Sequence, residues 1–278
     1  MNSLLYKPNN AWTGDFIPYY ENGVFHLFYL HSWRDPAKNG IPWYQISTED
    51  FVHFDEHGEM LKAGGLKEQD LCVFTGSVFK KDNKYHIFYT GHNPGMHEKG
   101  LPAQGIMHAV SDDLLTFTKI PEDTFYTDES LFERDDFRDP FVYFYNDKYY
   151  MLLVAKKKDA PTATSGVTAV YCSLDLINWK YHSILWDPQL YHTHECPDLF
   201  KMGDWWYLIY SEYSDKRLTR YRMSRDINGP WHRPYDDSFD TTAYYAAKSA
   251  FDGTNRYLFG WGSTKSENND SLNWEWGG

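Results

Sequence analysis

Five times along the chain an apolar run enters a short polar turn and leaves it as a second run rich in aromatic residues. The paired runs are Phe16 to Tyr20 with Val24 to Leu30, Ser77 to Phe79 with Tyr85 to Thr90, Pro140 to Tyr145 with Tyr149 to Ala155, Asp198 to Met202 with Trp205 to Ser211, and Ala246 to Phe251 with Arg256 to Trp261. The turns between them are Glu21-Asn22-Gly23, Lys81-Asp82-Asn83-Lys84, Asn146-Asp147-Lys148, Gly203-Asp204 and Asp252-Gly253-Thr254-Asn255. They carry the Asn, Asp and Gly that tolerate positive φ in tight hairpins, so each pair reads as a β-hairpin. Phe28, Phe88, Leu153, Ile209 and Phe259 hold the same place in successive second strands, at spacings of 60, 65, 56 and 50 residues.

An Asp-led turn closed by an aromatic residue follows each of the first four hairpins: Asp50-Phe51-Val52-His53-Phe54, Asp113-Leu114-Leu115-Thr116-Phe117, Asp175-Leu176-Ile177-Asn178-Trp179 and Asp226-Ile227-Asn228-Gly229-Pro230-Trp231. This reads as the corner between the third and fourth strands of a unit. Four strands per unit, repeated five times, predict an all-β fold, a five-bladed β-propeller of four-stranded antiparallel blades around a central funnel. A β-sandwich also uses many short strands, but it does not repeat a four-strand motif at about 60 residues. Residues 1–278 read as a single domain. The fifth unit reaches only Trp274-Glu275-Trp276-Gly277-Gly278, so its outer strand is expected from residues 1–10, or the ring stays open.

Composition narrows the partners. The net charge of -12, from 27 basic and 39 acidic residues, argues against nucleic acid, whose affinity depends on Lys and Arg displacing counterions. The longest apolar stretches, such as Tyr149 to Ala155, fall far short of the roughly 18 residues of a membrane span. The N-terminus lacks the basic start and apolar core of a signal peptide, and Cys72, Cys172 and Cys196 show no paired spacing, so a reducing cytoplasm is expected. Aromatic residues make up 19% of the chain, which suits both strands and polyhydroxylated ligands.

Counting seven residues back from Asn22, Asn83, Asn146, Gly203 and Asp252 aligns Asp15, Gly76, Asp139, Cys196 and Tyr245 at the predicted starts of the five inner strands. Inner-strand starts ring one end of a propeller channel. Asp15, Asp139 and, one step earlier, Glu195 therefore become three carboxylates facing one cavity, a costly arrangement unless the site has a task for them. Glycoside cleavage is such a task, with one carboxylate as nucleophile or base and another as proton donor. The segment His192-Thr193-His194-Glu195-Cys196 lacks the second His of a zincin motif, and Gly260-Trp261-Gly262-Ser263-Thr264-Lys265 lacks P-loop spacing, so neither a metal nor a cofactor is called for.

Asp15 before a strand ending His26-Leu27-Phe28-Tyr29, then Phe74-Thr75-Gly76-Ser77, Phe137-Arg138-Asp139-Pro140-Phe141 and Glu195-Cys196-Pro197-Asp198-Leu199-Phe200, resembles family 32 of the glycoside hydrolases, the β-fructofuranosidases. The likeness covers essentially the whole chain. It implies a small fructoside as substrate, with Asp15 as nucleophile, Asp139 as the stabiliser that binds fructose hydroxyls, Glu195 as general acid/base, and retention of anomeric configuration. Arg138 is expected to hold Asp139 ionised and to reach the substrate. Trp12, Phe74, Ser77, Tyr245 and Trp261 are the further candidates for contact with sugar.

The chain departs from the family pattern at three positions. Gly14 stands where an Asn is usual, Leu30 where a Gln is usual, and His194 where a Trp usually precedes Glu-Cys. The C-terminal β-sandwich that family members usually carry has no counterpart in residues 1–278. Two other readings stay open: an inverting arabinofuranosidase or xylosidase on a related five-bladed scaffold, and a sugar-binding propeller without catalysis.

Overall fold

The computed structural model describes residues 5–214, 216–239, 244–264 and 276–278. Five antiparallel sheets follow one another along the chain. Blade 1 is β1 (Ala11–Glu21), β2 (Val24–Trp33), β3 (Trp43–Thr48) and β4 (Asp55–Leu61). Blade 2 is β5 (Cys72–Lys81), β6 (Lys84–His92), β7 (Gln104–Ser111) and β8 (Thr118–Phe125), and blade 3 is β9 (Arg138–Tyr145), β10 (Lys148–Lys156), β11 (Gly166–Ser173) and β12 (Lys180–Trp186). Blade 4 has β13 (Thr193–Met202), β14 (Trp205–Tyr213) and β15 (Thr219–Ser224), and blade 5 has β16 (Tyr244–Phe251) and β17 (Arg256–Gly262). The inner strands touch in order, β1 with β5, β5 with β9, β9 with β13, β13 with β16 and β16 with β1, which closes the ring.

The turn chemistry acts as the sequence indicates. Asn22-Gly23, Asp82-Asn83 and Asn146-Asp147 all adopt positive φ, the conformation whose twist matches the flanking strands. At the corners, the Oδ1 atoms of Asp50, Asp113 and Asp175 each accept two backbone N–H bonds at 2.8 to 2.9 Å, from the second and third residues onward. Phe51, Leu114 and Leu176 take positive φ between donor and acceptor. Blade 4 differs, because Pro230 and Pro234 remove donors where a fourth strand would pair. Its edge is held instead by Asp237, which binds Arg220 at 2.7 Å, Arg222 at 2.5 Å and Arg233 at 3.2 Å.

Aromatic and branched side chains fill the spaces between sheets. Phe28, Trp43, Ile87 and Tyr89 are buried in one cluster between blades 1 and 2, and Phe88, Phe137, Met151 and Leu153 in the next. Of residues 1–10, expected to supply the outer strand of blade 5, residues 1–4 lie outside the described residues. Residues 5–10 form no strand; Gly277 exchanges two 3.1 Å backbone bonds with Thr13 of β1, and Gly278 pairs with Gly262 of β17. Residues 265–275, with the remainder of the fifth unit, lie outside the described residues. Among the described residues no helix is long and apolar enough to cross a membrane.

Candidate active site

Every inner strand breaks register with its neighbour once: between Thr13 and Phe16, Phe74 and Gly76, Arg138 and Phe141, Glu195 and Asp198, and Tyr245 and Lys248. A bulge of this kind adds a residue and re-aims the side chains beside it. Asp15 and Gly76 therefore lie inside β1 and β5, at the bulges, rather than at the strand starts, whereas Asp139 and Tyr245 stand at the starts of β9 and β16 as expected. Measured from the central turn residues Asn22, Asp82, Asn146, Gly203 and Gly253, the equivalent positions are Asp15, Thr75, Asp139, Cys196 and Ala246. Gly76 and Tyr245 each stand one residue off that frame, because the second turn centres on Asp82-Asn83 and the fifth is four residues long.

These equivalent residues meet on the channel axis. Thr75 Oγ1 donates to Asp15 Oδ2, Trp261 Nε1 donates to Asp15 Oδ1 at 2.8 Å, and Cys196 Sγ lies 3.5 Å from Asp15 Oδ2. The Cys196 N–H donates to Asp139 Oδ2 at 2.9 Å. Asp139, Cys196 and Ala246 all take positive φ, which turns their N–H groups toward the preceding blade. The Asp139 N–H finds Thr90 Oγ1 of blade 2 at 2.8 Å, and the Ala246 N–H finds Ser211 Oγ of blade 4 at 2.9 Å. Blade 3 offers Val154 at the matching place, with no hydroxyl, so the Cys196 N–H takes the Asp139 carboxylate instead. One missing hydroxyl thus fixes the orientation of a carboxylate.

The residues one position earlier in blades 3, 4 and 5 form a second tier. Arg138 donates to Glu195 Oε1 at 2.9 Å and to Asp136 Oδ1 at 2.7 Å, and Tyr245 donates its hydroxyl to Glu195 Oε2 at 2.5 Å. Burial raises Asp15, against hydrogen bonds from Thr75 and Trp261 that hold it ionised. Burial likewise pushes Asp139 up to about 6, with Arg138 opposing and the charges of Glu195 and Asp15 adding to the rise. The Cys196 thiol is driven well above its usual range by burial and by the flanking carboxylates, so it serves as a neutral spacer.

Asp15, Asp139, Glu195, Arg138, Phe74, Tyr245 and Trp261 all line one cavity of about 570 Å³. Two expected sugar contacts do not. Trp12 is 1% exposed, with the Arg34 guanidinium stacked 4.1 Å from its ring centroid, and the buried Ser77 hydroxyl accepts the Val142 N–H at 3.1 Å, tying blade 2 to blade 3. Thr75, Gln104, Asp136, His192, Tyr213, Arg217 and Trp276 line the cavity and were not singled out from sequence; only Thr75 carried a usable signal, its place in the aligned ring. Among the described residues no group of three His, Cys, Asp or Glu side chains is arranged to hold a metal ion.

The sequence model of the glycosyl hydrolases family 32 N-terminal domain matches residues 6–278. The chain belongs to glycosyl hydrolase family 32. Among curated family members, the sucrose-6-phosphate hydrolase of Vibrio alginolyticus is 29% identical over 198 residues, covering 69% of this chain and 38% of that protein. Among solved structures, the sucrose-6-phosphate hydrolase of Lactobacillus gasseri superposes with a TM-score of 0.76 at 22% identity, over 95% of this chain and 57% of that one. Fructan 1-exohydrolase IIa of Cichorium intybus gives 0.75 at 20% identity, over 94% and 53%. The chain spans about two fifths to just over half the length of these family 32 proteins.

Two of the three departures from the family pattern, Gly14 and Leu30, pack together. A Cβ at position 14 would stand 2.8 Å from the Leu30 Cβ and 3.0 Å from the Trp276 ring, so Leu30 and Trp276 occupy the room a longer side chain there would need. His194 fills an aromatic slot among Trp186, Tyr191 and Tyr210, and burial lowers it to about 3, leaving a neutral ring.

Crowded carboxylates cost stability, and Asp139 shows the sign. The folded state binds its proton up to about pH 6 and the unfolded chain only up to about 4, so stability falls as pH rises between those values and the penalty is complete above them. Asp139→Asn keeps an acceptor for the Cys196 N–H and removes the charge. Melting curves are expected to show the variant more stable than the parent at pH 7.5, by on the order of 1 kcal/mol, with the gain vanishing near pH 4.

Proposed function

We propose that the protein is a retaining glycoside hydrolase that releases fructosyl units from sucrose, sucrose 6-phosphate or short fructosides. The observation that carries this reading is the division of labour among three carboxylates in one cavity. Asp15 is buried and aimed by two donors, Asp139 is fixed by a backbone N–H, and Glu195 stands between a guanidinium and a phenol. Asp15 attacks the anomeric carbon, the bond to the departing sugar breaks, and Glu195 gives its proton to the departing oxygen. Water then attacks the same carbon, gives its proton to Glu195 and releases Asp15; two inversions retain configuration. Asp139 binds the hydroxyls of the fructosyl ring and Arg138 neutralises the floor. Trp261 acts through Asp15 as well as through its ring face. Family membership and the names of the relatives support the substrate class. Three free cysteines suit the reducing cytoplasm, where we place the protein.

The test is the sugar released from a panel of sucrose, sucrose 6-phosphate, inulin-type and levan-type oligomers and an aryl arabinofuranoside. Fructose from at least one fructoside is expected; arabinose alone would overturn the reading in favour of an arabinofuranosidase.

Tyr245 supplies a finer test. Its hydroxyl donates to Glu195 Oε2 and so fixes how that carboxyl meets the departing oxygen. Tyr245→Phe removes that bond and is expected to lower kcat about tenfold while KM changes little. A higher KM with kcat unchanged would make Tyr245 a sugar contact only.

A further inference from the structure

At the far end of blade 3 from the catalytic floor lies a cleft of about 140 Å³, room for roughly ten waters. It opens between the β9–β10–β11–β12 sheet and the Asp226–Trp231 corner of blade 4. Arg138 and Tyr145 mark the two ends of β9, so the cleft stands about 23 Å from the site floor.

Its lining holds no Asp, Glu, Lys or Arg. Tyr143 and Tyr150 face each other across β9 and β10, with ring planes 18° apart and centroids 5.4 Å apart, and His182 lies edge-on to Tyr150 at 5.6 Å. Among the described residues, the hydroxyls of Tyr143, Tyr145 and Tyr150, the ring of His182 and the side-chain amide of Asn228 have no hydrogen-bond partner within the protein, and none of them is sealed from solvent. Burial and the two neighbouring phenols raise Tyr143, so its hydroxyl stays a neutral donor. At the boundary of blades 2 and 3, by contrast, the Ser77 hydroxyl is spent on the Val142 N–H.

We infer that this cleft is a second, non-catalytic carbohydrate-binding site that takes one unit of a neutral oligosaccharide. Aromatic faces beside uncharged donors and acceptors match a ring with apolar faces and a hydroxyl rim, and the lack of charge disfavours ions and peptides carrying them. The inference does not need the catalytic reading to be correct.

Affinity electrophoresis of the Asp15→Ala protein, which leaves polysaccharide intact, through gels containing inulin, levan or amylose gives the test. Retardation by at least one neutral polysaccharide is expected. Adding His182→Ala and Asn228→Ala, both at exposed positions, is expected to weaken it about tenfold, and Tyr150→Phe several-fold, with melting temperatures unchanged. In the otherwise intact protein the same changes raise KM for long chains and leave the shortest substrate untouched. Retardation without turnover of any fructoside would refute the catalytic proposal and keep this one. No retardation in any gel, or retardation indifferent to all three substitutions, overturns it.

Discussion

Asp15→Ala is expected to lower kcat on every fructoside by about 10⁴- to 10⁶-fold, the size of loss seen when a covalent nucleophile is removed and only binding and the remaining electrostatics are left. The side chain is held on both oxygens, by Trp261 Nε1 and by Thr75 Oγ1, so no neighbouring group takes its place without moving. Asp139 cannot substitute, because Cys196 N–H pins its Oδ2 on the other side of the Cys196 thiol. Folding is expected to survive: the variant loses a desolvated charge and leaves two donors short of a partner, effects of opposite sign. Kinetics on protein cleared of parent enzyme, beside a melting curve, read the result. Activity within tenfold of the parent would remove Asp15 from the chemistry.

The repeat was legible because its punctuation is backbone chemistry. Asn22-Gly23, Asp82-Asn83 and Asn146-Asp147 demand positive φ, and Asp50, Asp113 and Asp175 cap the corner amides, so turns and corners announce themselves in the residue types. The convergence of Asp15, Asp139 and Glu195 followed from that frame. The bulges did not. Gly14-Asp15 and Thr75-Gly76 interrupt the apolar runs and look like strand starts, whereas β1 and β5 begin at Ala11 and Cys72. Trp12 and Ser77 stand close in sequence to Asp15 and to the Phe74-Thr75-Gly76 segment but do not reach the cavity, whereas Thr75, one place before the aligned glycine, does. Asp136, Gln104 and Trp276 reach the cavity from outside the inner strands, where no periodicity points at them.

Glu195→Ala separates the two halves of the proposed mechanism. For sucrose, whose leaving oxygen needs a proton, kcat is expected to fall about 10³- to 10⁴-fold. For an aryl β-fructofuranoside, whose phenolate leaves unaided, formation of the Asp15 ester stays fast and its hydrolysis becomes limiting. Azide, a nucleophile that needs no base, then attacks the ester and restores turnover. The anomeric configuration of the resulting fructosyl azide is the most direct reading of the central claim, because two displacements at one carbon and one displacement give opposite products. The account predicts the β-azide, formed by the Glu195→Ala protein and absent when Asp15→Ala is added; the α-azide, or β-azide that persists without Asp15, would contradict it.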